Sequence, residues 1–350
     1  MEVPEETGAR GMKICLIAPR AEGIGGIAAT VRQLKEKLAE RGMEVELLTG
    51  GYISRKGLMN PTFALSAAIR VKKVKADVYH AHGGFSMLAL SRAEGHKVMT
   101  LHGNWHKAIE FLHGKMAGKI AKKMENIYLK KVDILTVVSK SAAKEYEKFN
   151  PIYIPNGIDV EKFAKKAKSP VDLPPNSVLY VGRLSKEKGV DILVKAWKQV
   201  HTEIPNANLY IIGDGPLKST LEKQANRGVS LVGPVPHNEI PNWLANATLF
   251  VLPSVMETGM PMALLEAMAM KIPVIATKTG AIPEVIEQGE TGIIIEPKSE
   301  KELKNAIIYA LTHNMKPIAQ KAYRKVKREY NINKIVDAYI QIYKNLLGEN

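Results

Sequence analysis

Two glutamates in the second half of the chain stand at positions where a carboxylate can do chemistry. Glu257 lies in a loop shortly after the apolar run TLFVL, and Glu266 lies within a stretch that is otherwise apolar. A buried charge is costly unless something binds it. A carboxylate accepts hydrogen bonds from two adjacent hydroxyls, so a ribose or hexose diol suits Glu266. The alternative is that Glu266 pairs with a lysine or an arginine.

Three basic residues, Arg183, Lys186 and Lys188, share the strand-to-helix loop VGRLSKEKGVD. No D-x-D motif occurs in the chain, so no obvious pair of carboxylates would hold a metal ion on a diphosphate. Without a metal ion, the charge of a diphosphate must be answered by side chains and helix N-termini. Charge-assisted hydrogen bonds contribute about 1.5–3 kcal/mol each, and Arg183 and Lys188 could make them. The alternative is a basic surface loop.

The segment 248–277 is typical of a strand, a loop, a helix and a second strand. TLFVL has the composition of a strand that is buried on both faces. Pro261 suits the first turn of a helix, and residues 262–270 are nearly all strong helix formers. The unit therefore holds Glu257 at the carboxyl end of a strand and Glu266 inside a helix.

The same alternation of strands and helices runs along the chain in two series, separated by a proline-rich stretch at 166–177. This pattern predicts an α/β protein with two doubly wound, Rossmann-like domains that face a cleft. We expect residues 1–11 to be a mobile extension or a misassigned start. The first domain would then span 12–160 and the second 161–328, and a helix at 329–350 would pack back towards the first domain.

A glycine-rich loop follows the first predicted strand. Gly23, Gly25 and Gly26 would let backbone N–H groups approach a phosphate or a sugar closely. With Ala28 these glycines also fit the dinucleotide pattern G-x-G-x-x-A. The loop is too long for the tight turn of that pattern, however, and Thr49 stands where an acidic residue would hold a ribose.

Histidines end two of the predicted strands. His80 and His82 end one strand, and His102 ends another, with Gly103 next to it. Open α/β sheets bind ligands at the carboxyl ends of their strands, so we expect a site role for His102. His80 could equally be a packed strand histidine. No third ligand stands at a spacing that would make a zinc site.

The composition bounds the compartment and the partners. With 50 lysines and arginines against 35 aspartates and glutamates, the formal net charge of +15 favours nucleotides, anionic membranes or nucleic acid, although surplus lysine also keeps a protein in solution. Cys15 is the one cysteine, so no internal disulfide can form and a reducing compartment is expected. No apolar stretch reaches the length of a membrane span, and no signal peptide is visible. We predict a cytoplasmic protein.

The lysine-rich segment 106–131 is typical of one long helix or of two. Apolar residues recur in it at helical spacing: Ile109, Leu112, Met116, Ile120, Met124 and Ile127. Lys115, Lys119 and Lys122 flank one side of this stripe. The stripe either packs in the core beside a solvated basic flank, or it rests on an anionic membrane and makes the protein peripheral at its inner face.

Several short motifs together carry a family resemblance. In order they are GGIAATVRQL, TLHGN, IPNGIDVEKF, VGRLSKEKGVDIL, IIGDGP, PSVMETGMPMALLEAMAMKIPVIAT and TGAIPEVI. Each motif is weak alone, but their order and spacing are specific. From about Met12 to its end, the sequence resembles the group 1 glycosyltransferases, glycosyltransferase family 4, which have the GT-B fold.

The resemblance implies a retaining, metal-independent glycosyltransferase that moves a hexose-type sugar from a UDP-, GDP- or ADP-sugar to a saccharide or lipid-linked acceptor. It implies that Arg183 and Lys188 hold the diphosphate, Glu266 binds the ribose, Glu257 touches the transferred sugar and His102 lies at the reaction centre. The residues implied to line the donor are Gly25, Gly26, Gly213, Asp214, Gly215, Thr258, Gly259, Met260, Pro261, Leu265 and Glu266. His80, His82 and Asn104 are expected on the acceptor side. No cofactor and no metal ion are expected.

One departure from the family pattern concerns the two glutamates. The family has seven residues between them, whereas eight separate Glu257 from Glu266, and Thr258 stands where the first glutamate is expected. Either the loop bulges so that Glu257 still reaches the sugar, or Thr258 supplies a hydroxyl. We favour Glu257.

Two other functions fit part of the sequence. A nucleotide-sugar epimerase of the same fold would use the same donor site without an acceptor pocket. A nucleic-acid-binding protein is suggested only by the net charge of +15, and it would need basic residues interleaved with exposed aromatic ones. Aromatic residues make up only 6% of the chain and form no such stripe, so we expect no nucleic-acid partner.

Overall fold

Two six-stranded sheets, one in each half of the chain, form the framework of the protein. The structure is a computed structural model that describes residues 11–20, 26–50 and 59–349. The predicted N-terminal extension, apart from Gly11, lies outside the described residues, and so does Gly25.

All strands of the first sheet are parallel. They are β1 (Lys13–Ile17), β2 (Glu44–Leu48), β3 (Val78–His82), β4 (His96–Leu101), β5 (Ile134–Val137) and β6 (Ile152–Tyr153). Their order across the sheet is β2-β1-β3-β4-β5-β6, so the chain winds in one direction from β1 to β2 and in the other from β3 onwards.

The second sheet also winds in two directions, but its first three strands run one way before the chain reverses. Its strands are β7 (Ser177–Val181), β8 (Asn208–Ile212), β9 (Val229–Gly233), β10 (Leu249–Leu252), β11 (Val274–Thr277) and β12 (Ile293–Ile295), in the order β12-β11-β10-β7-β8-β9. All of its strand pairs are parallel as well. The prediction of two doubly wound α/β domains is confirmed.

Helices connect the strands and cover the sheets. They are α1 (Gly26–Ala39), α2 (Met59–Arg70), α3 (Met87–Leu90), α4 (Trp105–His113), α5 (Lys115–Tyr128), α6 (Lys140–Glu145), α7 (Val160–Ala164), α8 (Val190–Glu203), α9 (Lys218–Gln224), α10 (Ile240–Leu244), α11 (Met262–Ala269), α12 (Ile282–Val285), α13 (Glu300–Thr312), α14 (Lys316–Glu329) and α15 (Ile332–Leu347). Short 3₁₀ turns lie at Val71–Lys73, Gly84–Ser86, Leu129–Lys131, Glu147–Phe149, Lys186–Lys188 and His237–Glu239. No helix in the described part of the chain is long and apolar enough to cross a bilayer.

The lysine-rich segment forms two helices, α4 and α5, that meet at Gly114. Gly114 has φ +87°, a left-handed conformation that ends α4 and begins α5. The predicted apolar stripe is not part of the core, because Leu112, Met116 and Ile120 are 53–71% exposed. Met124 and Ile127 are exposed as well. The core alternative for this stripe is therefore wrong.

The last helix, α15, belongs by its packing to the first domain. Val336 and Tyr343 lie in one buried cluster with Ile14 of β1, whereas Val326 of the preceding helix α14 lies in the core of the second domain. Fully burying an apolar side chain contributes roughly 1.5–3 kcal/mol, so the apolar face of α15 holds it firmly against the first sheet. The chain thus crosses back between α14 and α15.

Candidate active site

The loops that follow β4 and β10 meet between the two sheets. The N–H of Asn104 donates a hydrogen bond to the carbonyl oxygen of Thr258 at 3.0 Å. A Cβ atom on Gly103 would lie 2.2 Å from that oxygen, and one on Gly259 would lie 1.6 Å from the carbonyl oxygen of His102. Only glycine fits at these two positions, so the glycines allow the two domains to touch at the predicted site.

Three neutral histidines lie in the first domain behind this contact. Nδ1 of His82 and Nε2 of His102 share a hydrogen bond of 3.0 Å. His80 bonds the hydroxyls of Tyr343 and Thr100, each at 2.6 Å. Burial lowers the pKa of His80 to about 3 and that of His102 to about 4, and it lowers the pKa of His82 well below its usual value. The nearby histidines add to this effect at His80 and His82, so all three rings are uncharged at neutral pH.

Within the described residues, two of these histidines and Asn104 each keep one polar atom for a ligand. Nδ1 of His102, Nε2 of His82 and Oδ1 of Asn104 are buried and make no hydrogen bond in the structure. Leaving such an atom unsatisfied costs about 1–3 kcal/mol, which a ligand can recover. His80, in contrast, is fully buried and uses both ring nitrogens within the first domain. The expected contact of His80 with an acceptor is therefore replaced by a structural role, which joins β3 to α15.

The second domain brings a cation and a carboxylate into direct contact. Nζ of Lys188 donates to Oε1 of Glu257 at 2.5 Å, and the hydroxyl of Ser254 donates to the same oxygen at 2.7 Å. Gly189 has φ +64°, and a Cβ there would lie 2.1 Å from the carbonyl oxygen of Pro253. The loop after β7 therefore packs tightly on the loop after β10, which fixes Lys188 beside Glu257.

The turn after β8 supports the same loop from its other side. The N–H of Leu184 donates to the carbonyl oxygen of Asp214 at 3.0 Å, and a Cβ on Gly215 would lie 2.4 Å from the carbonyl oxygen of Leu184. Gly213 has φ +144°, which favours glycine. Arg183 is exposed beside this turn, and its guanidinium has no hydrogen-bond or ion-pair partner among the described residues. Its charge is available to an anion.

The carboxylate of Glu266 has a partner that the sequence did not suggest. Glu266 lies in α11 with 4% of its surface exposed, and its Oε1 lies 2.8 Å from Nε2 of His237. His237 stands in the loop after β9, so its spacing from Glu266 in the sequence gave no indication of the contact. The partner is neither the lysine nor the arginine of the alternative interpretation.

The remaining predicted donor residues lie around the start of α11. Met260, Pro261 and Leu265 are buried, Leu265 completely, so any contact of Leu265 with a donor would have to come from its backbone. Gly26 begins α1, and a Cβ there would lie 3.8 Å from Cγ of Met262, the first residue of α11. Two helix N-termini, one from each domain, thus lie together, and such termini favour anions.

Within the described residues no group of three or more histidine, cysteine, aspartate or glutamate side chains is arranged to hold a metal ion. The structure brings His102 and Asn104 against the loop of Thr258 and pairs Lys188 with Glu257. Arg183 lies on the same loop as Lys188, and Glu266 pairs with His237. These groups can bind hydroxyls through carboxylates and an anion through cations and helix N-termini.

Comparisons with known proteins identify the family of both halves of the chain. The profile described as Glycosyltransferase Family 4 matches residues 24–162, and the profile described as Glycosyl transferases group 1 matches residues 175–313. The chain is 28% identical to a Bacillus subtilis (strain 168) protein that carries the name of a teichuronic acid biosynthesis glycosyltransferase, TuaC, over 96% of this chain and 90% of that one.

A second relative and a solved structure extend the comparison. Alpha-monoglucosyldiacylglycerol synthase from Acholeplasma laidlawii is 28% identical over 81% of this chain and 84% of that one. The structure of sucrose-phosphate synthase from Thermosynechococcus elongatus superposes with a TM-score of 0.80 at 21% identity, over 96% of this chain and 99% of that one. The likeness to that structure concerns the fold, and it extends over both domains.

Proposed function

The chain belongs to the group 1 glycosyltransferases, glycosyltransferase family 4, with the GT-B fold and a nucleotide sugar as donor, and from this premise we propose a finer activity. The protein transfers a hexose-type sugar from a UDP-, GDP- or ADP-sugar to a saccharide or lipid-linked acceptor. The transfer retains the anomeric configuration and needs no bound metal ion. The observation that best supports this proposal is the contact between Lys188 and Glu257 beside the loop of His102.

The diphosphate would bind to the cations of the second domain. Lys188 and Arg183 both lie in the loop that follows β7, and they supply two side-chain cations. The N-termini of α1 and α11, which lie close together, add partial positive charge. As the bond between the sugar and the diphosphate breaks, negative charge grows on the diphosphate. Preorganised cations stabilise that charge more in the transition state than in the ground state, and this difference accelerates the reaction.

The two glutamates would bind the two sugars of the donor. The bonds from Lys188 and Ser254 both use Oε1 of Glu257, so Oε2 is left to accept a hydrogen bond from a hydroxyl of the transferred sugar. The hydroxyl oxygen of Thr258 would lie 2.8 Å from a Cβ on Gly103, so it faces the loop of the first domain. These contacts support Glu257 over Thr258 as the residue that touches the sugar. Glu266 would bind the ribose.

His102 would face the reaction centre from the first domain. Its pKa of about 4 keeps the ring neutral at pH 7, so it can donate or accept a hydrogen bond without adding a charge. A neutral ring suits a site where the sugar becomes positively charged, because a cation there would oppose the transition state. The leaving phosphate would then accept the proton of the acceptor hydroxyl. No observation on the fold or the relatives favours the epimerase or the nucleic-acid alternative.

The exposed stripe on α4 and α5 supports a membrane-bound acceptor. Its apolar residues are surrounded by lysines of the same helices, among them Lys115, Lys119, Lys122 and Lys123. Apolar side chains that enter the headgroup region, together with lysines that meet anionic lipid, are the features of a helix that lies on a membrane. One relative is named for a lipid product, a diacylglycerol glucoside. We propose that this surface rests on an anionic bilayer and presents the cleft to a lipid-linked acceptor.

Vesicle flotation tests the membrane proposal. The wild-type protein is expected to float with vesicles of phosphatidylglycerol and phosphatidylcholine at low salt, and a variant with Met116→Glu and Ile120→Glu is expected to stay below. Tyr309→Glu, on an exposed residue of the second domain, is the matched control and should float. Equal flotation of the double variant and the wild type would contradict the proposal.

A ligand screen tests the activity. A ligand that binds only the folded protein raises its melting temperature, so one class among UDP-, GDP- and ADP-sugars is expected to do so. Product analysis with that donor, with acceptors and with EDTA present throughout, should then give a retained glycoside. The proposal is wrong if no nucleotide sugar changes the melting temperature, or if transfer requires an added divalent cation.

A further inference from the structure

The hydrogen bond between His237 and Glu266 affects how Glu266 can meet the ribose of the donor. Glu266 is the one charged residue of α11, and only 5% of its side chain is exposed. Such a carboxylate needs a hydrogen-bond donor to offset its lost hydration. Nε2 of His237 at 2.8 Å is the donor that the structure provides among the described residues.

The imidazole of His237 is itself held in place. Its ring lies against the ring of Phe163, with centroids 6.1 Å apart, and a quarter of its side chain is exposed. The exposed part lines a cleft between the domains, together with Arg32 and Gln33 of α1. A ring supported on one side by Phe163 and bonded on the other to Glu266 has little freedom to rotate.

The bond from His237 uses one oxygen of the carboxylate and leaves the other. Nε2 meets Oε1, so the plane of the carboxylate is fixed while Oε2 is free to accept from a hydroxyl. A lysine at the same place would supply a mobile charge with three donors and would not fix that plane. The geometry therefore suits a carboxylate that must meet a rigid diol.

We propose that His237 positions the carboxylate of Glu266 for the ribose hydroxyls of the donor. The proposal rests on the proposed role of Glu266 as the ribose-binding residue. His237 is a positioning residue: it acts through Glu266, and its removal lets the carboxylate rotate or bind water. The expected loss is in the binding of the nucleotide ribose and not in the chemical step, so KM for the donor rises while kcat at saturating donor stays within about twofold.

The test compares two ligands that differ only at the ribose. Calorimetry gives Kd for the tightest binder among UDP, GDP and ADP and for its 2′,3′-dideoxy analogue, and their ratio measures how strongly the site recognises the hydroxyls. We expect Glu266→Gln to remove most of this ratio, His237→Ala to lower it about tenfold, and His237→Gln, whose amide can donate to the carboxylate, to restore part of it. Asn238→Ala, an exposed residue of the same turn, is the matched control and should leave the ratio unchanged.

The outcomes separate this inference from the proposed function. If Glu266→Gln leaves the ratio intact, Glu266 does not bind the ribose, and that part of the proposed function is wrong. If Glu266→Gln removes the ratio but His237→Ala behaves like Asn238→Ala, the positioning role of His237 is overturned. It is also overturned if His237→Ala weakens both ligands equally, because that result indicates a loss of packing. His237→Gln keeps the test decisive if the alanine variant does not fold.

Discussion

The contact between Lys188 and Glu257 leads to a prediction in which stability and activity respond differently to the same substitutions. The carboxylate of Glu257 has 7% of its side chain exposed, whereas Lys188 has 25% exposed. Removing the ammonium with Lys188→Met leaves a buried carboxylate with only the Ser254 hydroxyl as partner. Breaking a buried pair in this way costs about 3–5 kcal/mol, and we expect about 3 kcal/mol because water can reach the site of Lys188. In a domain of this size such a loss lowers the melting temperature by roughly 6–12 °C.

Adding Glu257→Gln to this variant removes the uncompensated charge. The double variant should therefore recover roughly 2 kcal/mol relative to Lys188→Met, since the two residues touch and their effects do not add. Activity should not recover with it. The loss of a cation that faces the departing diphosphate costs on the order of 10²–10³ in kcat, and a neutral glutamine at position 257 does not replace it.

Urea unfolding and initial-rate kinetics on the wild type, both single variants and the double variant measure the two effects. Rates are taken at a temperature where every variant is folded, so that lost activity does not reflect unfolding. Two results would refute the reasoning. Equal unfolding free energies for Lys188→Met and the wild type would mean that the pair is not coupled, and an unchanged kcat in Lys188→Met would mean that this lysine does not meet the diphosphate.

Three further predictions concern the facing loops and the buried histidines. Gly259→Ala places a Cβ against the carbonyl oxygen of His102 and should push the two loops apart. We expect kcat/KM in steady-state assays to fall by on the order of 10², because small displacements of reacting groups slow the reaction strongly. Unchanged kinetics would mean that the loops need not touch. Glu257→Ala should lower kcat by on the order of 10², because it removes a group that contacts the reacting sugar. Thr258→Val should leave kcat within a few-fold of the wild type. The reverse order of the two losses would assign the sugar contact to Thr258. The pKa of His80 falls from 6.5 to about 3 on folding, so the unfolded chain binds more protons below pH 6.5 and stability is lost as the pH falls through that range. Urea unfolding should show about 1.4 kcal/mol of this loss from His80 at pH 5.5 relative to pH 7.5, and a His80→Gln variant should lack that part of the pH dependence.

Sequence patterns predicted the framework well because parallel strands buried on both faces are nearly continuous apolar runs. The run TLFVL became β10 and the run at 274–277 became β11, each at the position that the pattern indicated. The apolar spacing over 106–131 continues in phase across Gly114, so the pattern fits one helix or two. Only the left-handed conformation of that glycine shows where the break lies.

Burial of the apolar stripe could not be predicted, because periodicity shows that a helix has an apolar face but not what covers that face. On α1 the face is covered by α15, which comes about 300 residues later in the chain. On α5 no element in the described part of the chain covers Met116 or Ile120. An apolar face at helical spacing thus belongs to the core in α1 and to the surface in α5.

Partners of the site residues were the hardest part to predict from sequence. The cost of burying Glu266 indicated that it needs a partner, but only the fold brings the loop after β9 close enough for His237 to be that partner. In the same way, the position of His80 at a strand end suggested a site residue. In the structure, α15 returns to the first sheet, and the hydroxyl of its Tyr343 shares a hydrogen bond with Nδ1 of His80. Local patterns indicate that a partner is needed, and tertiary contacts between distant segments decide which residue it is.

Because α15 packs on the first sheet, the first domain is completed only after the second domain has been made. The ribosome makes β1, with Ile14 and Leu16, long before α15, the helix that packs against them, and it makes the strands of the second domain in between. Until α15 is made, the part of the first sheet that it covers stays open to water and to chaperones, while the second domain already has its own core. A nascent chain that ends before α15 would therefore carry a finished second domain and an unfinished first one, although α15 follows the second domain in the sequence.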